Sequence, residues 1–277
     1  MNRALVLGGG GVTGIAWHLG LLRGLEEAGV PLGDADTIIG TSAGSVVGAL
    51  VAAGVDLRAA VAAQQVEVPA AKPGSRTASG GSRWLTAMAV LMDPSVPPRE
   101  ARARVGAMAL TADTQDEAAY LDRMRGLIPV SDWPDRDLRV TVVDTADGRD
   151  LTLDAASGVP LLHAVSASCA VPGLMPPVTI DGRRYMDGGV RLGAGADFAK
   201  GADRLVVIAP MAMVGRDRIL AEMADSGAER TLLIEPDEAA VAAFGTNFMD
   251  PARRPDAVRA GLRQAAVLAD GVREMWI

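Results

Sequence analysis

Apolar positions along this chain fall into short unbroken runs closed by glycine or polar turns, with longer stretches of helical spacing between them. ALVL at residues 4–7 is such a run, and four glycines follow it. Its length and bounding turn residues predict a strand buried on both faces. From about Val12 to Glu27 the apolar spacing is helical and stops near Gly29. DADTIIG predicts a second strand. SAGSVVGALVAAG predicts a helix with glycine just past its end, where a left-handed residue closes a helix. Gly44, Gly48 and Ala52 recur every four residues, so one face of that helix is nearly bare and can approach a sheet closely. Strand, glycine turn and helix, twice over, is the pattern of a parallel sheet with crossover helices.

From Pro69 to Pro134 the pattern changes. PAAKPGSRTASGGS reads as a loop, and the helical pieces after it carry Trp84, Met88, Met92, Met108 and Met124. Methionines so spaced fill a core, or line a mobile flap over an apolar pocket. Strands resume with LRVTVVDTADGRDLTL, a pair around Asp147-Gly148, and with TIDGRRYMDGG. RLVVIAP and RTLLIEP read as further buried strands, and Pro251 to Trp276 as one polar-faced helix. The expected organisation is a single α/β domain over residues 1–277, with a helical insertion or lid at 69–134.

Composition narrows the function. A net charge of −7 argues against nucleic acid as a partner, because phosphate binding needs a concentrated basic surface. Arginines do cluster in REARAR, RMR, GRR and ARR, mostly as solvated helix faces, with an anion or headgroup site as the other reading. Cys169 is the one cysteine, which fits a reducing compartment. The first residues hold too short an apolar run for a signal peptide, so the expected location is cytoplasmic.

Two glycine loops carry the candidate chemistry. Gly9, Gly11 and Gly14 form G-x-G-x-x-G between strand and helix, the dinucleotide fingerprint. That fingerprint needs an acidic residue at the far end of the second strand. Here the strand ends in Gly40-Thr41-Ser42, and Asp34 and Asp36 precede it. A dinucleotide-binding protein is therefore the weaker alternative. Gly40-Thr41-Ser42-Ala43-Gly44 is instead G-x-S-x-G, the pattern of a nucleophile elbow, in which small neighbours permit a strained turn. The bland reading is that Ser42 caps the helix. A nucleophile also needs oxyanion donors, and the backbone N–H groups of Gly9, Gly10, Gly11 and Ala43 are the candidates. As bases, His18 and His163 lie within apparent helices, and no histidine follows His163. Asp187, in YMDGGV, is either the base or an ordinary Asp-Gly turn.

In this order, LGGGGVTG, GTSAG and DGG resemble the patatin-like phospholipase family, and SASCAVPGLMPPVTIDGRRYMDGG resembles the stretch leading into that family's aspartate. The resemblance runs from about Leu5 to Pro210 and is weakest between Val66 and Asp135. It implies a three-layer α/β/α fold with a mainly parallel central sheet. It also implies a serine acyl hydrolase in which Ser42 is the nucleophile, Asp187 its base and Gly9, Gly10 and Gly11 the oxyanion loop. No cofactor or metal is implied. The expected partners are a lipid or small acyl ester and, transiently, a membrane surface. A non-catalytic regulatory relative is the other outcome. The family usually carries Arg or Lys where this chain has Thr13, so an acyl-ester hydrolase is implied more firmly than a phospholipase.

Overall fold

The computed structural model describes residues 1–66 and 76–277. Its sheet is built from β1 (Arg3–Leu7), β2 (Thr37–Gly40), β3 (Asp137–Asp144), β4 (Asp150–Leu153), β5 (Val178–Ile180), β6 (Arg183–Asp187), β7 (Arg204–Ile208) and β8 (Arg230–Ile234). The strand order is β5-β6-β3-β2-β1-β7-β8, with β4 also paired to β3. From β3 to β8 every pairing on this path is parallel, while β4, β5 and β6 join antiparallel. The mainly parallel sheet is as the sequence pattern requires.

Alternation along the strands sorts their side chains to two faces. Leu5, Leu7, Val206 and Ile208 meet one helical layer, which includes α1 (Gly11–Glu27), α2 (Ala43–Ala52), α7 (Leu161–Ser168) and α10 (Arg254–Trp276). Ala4, Val6, Leu205 and Val207 meet the other, where α8 (Ala212–Ser226) supplies Ile219 and Met223. On that second side, α4 (Arg76–Leu91) and α5 (Pro98–Thr111) bring Ala87, Val105 and Ala109 against Val143, Met186 and Val190.

Close helix packing rests on glycine. A Cβ on Gly20 of α1 would lie 2.4 Å from Val258 O of α10, and one on Gly261 of α10 would lie 2.5 Å from Trp17 O. Between them Trp17 is fully buried and donates from Nε1 to Gln264 Oε1 at 3.2 Å.

Several elements differ from the sequence pattern. β8 is not a buried strand: it closes one edge of the sheet, with Arg230 and Thr231 exposed. α8 escaped the pattern because it is polar and kinks at Gly215, whose Cβ would lie 2.0 Å from Leu192 O. α9 (Glu238–Phe244) is too short to show periodicity. Met92, read as core or flap, is exposed. The first residues of the loop read at 69–82 lie outside the described residues.

The bare face of α2 is used where the helix crosses β1. A Cβ on Gly44 would lie 1.9 Å from Leu7 O, whereas one on Gly48 would lie 3.3 Å from two methyl groups. Backbone cannot yield as a side chain can. Gly44→Ala is expected to cost more than about 4 kcal/mol or abolish folding, and Gly48→Ala no more than about 3 kcal/mol. Denaturant unfolding of both variants checks this, and equal costs would contradict the close approach.

Candidate active site

Ser42 sits between β2 and α2 with φ 52° and ψ −119°, in the positive-φ region a non-glycine residue rarely occupies. Its flanks explain how the turn closes. A Cβ on Gly40 would lie 2.5 Å from Ser45 Cα, and Gly44 has no room for one at all. The turn is pinned by Thr41 N–H donating to Leu7 O at 2.9 Å and by Ser42 N–H donating to Ser168 Oγ at 2.9 Å. The Ser42 side chain makes no capping hydrogen bond to α2. The capping alternative is thereby removed.

That hydroxyl meets Asp187. Along β3, Gly40 of β2 is opposite Val140 and Asp187 of β6 is opposite Val142, so both strand ends reach the same stretch of β3. The Ser42 side chain lies beside the Asp187 carboxyl, close enough to favour its ionised form. Asp187 also caps the short turn Gly188–Arg191, accepting from Gly189 N–H at 2.7 Å, and its own N–H donates to Ala170 O at 3.0 Å. Ser42 is 8% exposed and Asp187 4%. Burial raises the Asp187 carboxyl from 3.8 to about 7, against the Gly189 hydrogen bond and the Ser42 side chain, which favour the ionised form. Such a carboxylate is a base matched to neutral pH.

Gly9 is the part of the glycine loop beside the serine: its Cβ would stand 3.6 Å from Ser42 Cβ. Among the described residues, no protein acceptor takes the N–H of Gly9, Gly10, Gly11 or Ala43, while Gly8 N–H is held by Ile208 O at 2.8 Å. Gly11 has φ 59° and packs on Phe248 O and Met249 Sδ, and Gly10 packs on Pro210. Among the described residues neither histidine hydrogen-bonds Ser42 or Asp187. His18 is fully buried, with Nε2 3.3 Å from Ile208 O, and burial lowers it to about 4. His163 is the third residue of α7. Asp36 lies at the start of β2 and accepts from Arg3 N–H, so no carboxylate stands at the end a dinucleotide would need.

Two neighbours were not singled out from the sequence. Ser168 holds the Ser42 N–H, and the Cys169 thiol lies beside Ser42, with Sγ 3.8 Å from Ser45 Oγ. Burial and the nearby Asp187 push that thiol up, away from the reactive thiolate. Their only sequence signal is the stretch SASC ahead of Pro172-Gly173.

The family model for patatin-like phospholipase matches residues 5–200. The chain belongs to the patatin-like phospholipase family. It is 31% identical over 213 residues to patatin-like phospholipase domain-containing protein 6 of Mus musculus, covering 74% of this chain and 13% of that protein. It is 30% identical over 206 residues to lysophospholipase nte1 of Aspergillus fumigatus, covering 74% of this chain and 11% of that protein. VipD from Legionella pneumophila aligns over 98% of this chain and 67% of its own at 16% identity, with a TM-score of 0.49. ExoU from Pseudomonas aeruginosa, solved with SpcU, aligns over 99% and 53% at 17% identity, with a TM-score of 0.43.

Within this patatin-like chain, Thr13 is fully buried. Its N–H and Oγ1 both donate to Phe248 O, at 3.1 and 3.4 Å. The glycine loop is thus braced by the segment before α10 at the place where the resemblance expects a cation.

A raised carboxyl pKa means that folding favours the protonated form. Asp187 therefore leaves stability intact below pH 4 and erodes it as pH rises from about 4 to about 7, by about 4 kcal/mol in all. Asp187→Asn is expected to raise Tm at pH 8 and to leave it nearly unchanged at pH 4. Calorimetry at the two pH values checks this, and an equal effect at both would remove the burial penalty.

Proposed function

We propose that this chain is a serine acyl-ester hydrolase acting on lipids. The observation that carries the reading is a strained, uncapping Ser42 whose hydroxyl meets a buried carboxylate of raised pKa. Ser42 Oγ attacks the ester carbonyl carbon as Asp187 takes its proton. The carbonyl oxygen becomes an oxyanion held by N–H groups of Gly9, Gly10, Gly11 and Ala43, with the α2 N-terminus behind them. Collapse expels the alcohol, which recovers the proton from Asp187. Water then attacks the acyl-serine, giving its proton to Asp187, and the acid leaves as Ser42 is restored. Every proton passes through one carboxyl group, without a histidine.

The lipid substrate rests on kinship. The family is named for phospholipases, and the fungal relative is named a lysophospholipase. This chain spans 13% and 11% of the two relatives, so their whole-protein activities are not carried over. We read the described part of the insertion, residues 76–134, as the cover of the site, since Gly173, on the loop leading to Asp187, packs against Arg83 of α4; residues 69–75 lie outside the described residues. Transient contact with a lipid surface follows from the same reading. Among the described residues no helix is long and apolar enough to cross a membrane.

Labelling with a fluorophosphonate, followed by peptide mass spectrometry, tests the dyad. The label is expected on Ser42 and absent in Asp187→Asn; an unlabelled, well-folded wild-type chain would sink the reading. On a short-chain ester, Ser42→Ala should lose about 10⁴-fold or more in kcat. Wild-type kcat/KM should fall about tenfold per pH unit below about 7 and level off above it, as Asp187 gains and loses its proton. A flat profile would exclude Asp187 as the base.

A further inference from the structure

At the other end of the sheet three arginines stand side by side. Arg3 of β1 is in register with Arg204 of β7, and Arg204 with Arg230 of β8. In-register neighbours share a face, and this is the α10 face: the Arg3 guanidinium lies 5.2 Å from the centre of the Trp276 ring. None of the three is in an ion pair among the described residues, although this chain pairs most of its buried arginines. Arg3 donates from Nη2 to Asp34 O at 3.2 Å. Arg204 is 9% exposed, and its Nε and Nη1 are buried with no acceptor, as is Trp276 Nε1. The nearby carboxylates face other donors: Asp203 Oδ2 accepts from Asn2 N–H at 2.6 Å and lies 3.9 Å from the Met1 amino group, and Asp36 Oδ2 accepts from Arg3 N–H at 2.8 Å. The cluster is all donors.

A groove of about 300 Å³ lies between β8 and α10, with Leu232, Ile234, Leu268, Gly271 and Val272 as its apolar lining and Glu235 and Gln264 as its polar lining. Leu232 follows Arg230 on the same face of β8, and Val272 precedes Trp276 by one turn of α10. Both walls of the groove therefore run into the arginine row. Gly271 keeps the helix side open, since a Cβ there would meet nothing within 4 Å. At the far end, Glu235 is paired with Arg216 at 3.0 Å.

We propose that the arginine row and this groove form a binding site for a single-chain anionic amphiphile such as a fatty carboxylate. The head pairs with the exposed Arg230 guanidinium, for which a carboxylate has matched bidentate geometry, with the buried Arg204 charge behind it, and the chain lies against Leu232, Leu268 and Val272. The site is separate from the dyad. It lies at the N-terminal ends of parallel strands and Ser42 at the C-terminal end, a strand length of about 15 Å apart along the sheet. The acid released by the proposed hydrolysis belongs to the same chemical class. That connection rests on the hydrolase reading; the site itself does not.

Isothermal titration of the whole chain with decanoate tests the proposal without using activity. Saturable binding at one site is expected. Arg204→Met and Arg230→Glu should each weaken it at least tenfold. Gly271→Leu, which fills the groove from an exposed helical position, should weaken it to a similar degree. If Arg204→Met fails to fold by circular dichroism, Arg230→Glu decides, because Arg230 is exposed. No saturable heat with wild type, or wild-type affinity in Arg230→Glu, overturns the site; the latter would place decanoate at the dyad. Wild-type affinity in Gly271→Leu alone overturns the groove.

Discussion

β2 can pass into α2 only because Gly40 and Gly44, two residues to either side of Ser42, lack Cβ atoms. Gly44 brings the helix onto the Leu7 carbonyl, and Gly40 lets Ser45 fold back over the strand end. The remaining strain falls on Ser42, whose positive φ costs about 1–3 kcal/mol. What keeps it there is the surroundings: Ser168 holds its N–H, Ser45 Oγ donates to its carbonyl at 2.7 Å, and Thr41 Oγ1 is 2.7 Å from Thr141 Oγ1 on β3. A hydroxyl in this position cannot turn back to cap its helix. It is left facing whatever β6 delivers.

β6 delivers a carboxylate that has little freedom either. Met186 and Val190, on either side of Asp187, are packed under Ala87 of α4. The turn after it ends in Arg191, buried and paired with Asp150 at 2.8 Å and Asp197 at 2.7 Å. Glu222, also buried, accepts from the N–H groups of Ala194 and Gly195 at 2.9 and 2.8 Å, so the chain beyond the turn is fixed as well. This network lies close to Asp187 in sequence yet does not account for its raised pKa. Burial does: Asp187 shares the face of its register partner Val142, which packs in the α7 layer, with Cys169 and Tyr120 close by. The packing that positions this carboxyl also tunes it.

The parts legible in the sequence are those whose cause is local. Glycine spacing within five residues fixes the elbow, so Ser42 was readable to the level of its backbone strain. Two Asp-Gly turns were readable for the same reason, and both glycines have positive φ. Asp187 was different: from spacing it was base or turn, and the family likeness made the pairing. The fact that joins it to Ser42 is the register of β2 and β6 on β3, an arrangement of residues far apart in the chain. Thr13 is a sharper case. Its partner is Phe248 O, more than two hundred residues on, and nothing near GGGGVTG announces it. β8 was misread as buried because RTLLIEP carries a short apolar run, and a run does not reveal whether a neighbouring strand follows.

The two ends of this sheet are electrostatically unlike because the strands are parallel. At the C-terminal ends of β1 and β2 the helices α1 and α2 begin, so free N–H groups and positive helix termini surround Ser42. At the N-terminal ends, α1 and α10 are finishing, and the partial negative charge of their last carbonyls falls beside the strand starts. Cations are favoured there, which explains how Arg3, Arg204 and Arg230 can stand in one row without carboxylates. Yet each helix terminus supplies only about half an elementary charge, screened by water. Three guanidinium groups exceed that, and the buried donors of Arg204 remain without acceptors. The same topology that gathers free N–H groups around Ser42 at one end therefore gathers guanidinium donors at the other.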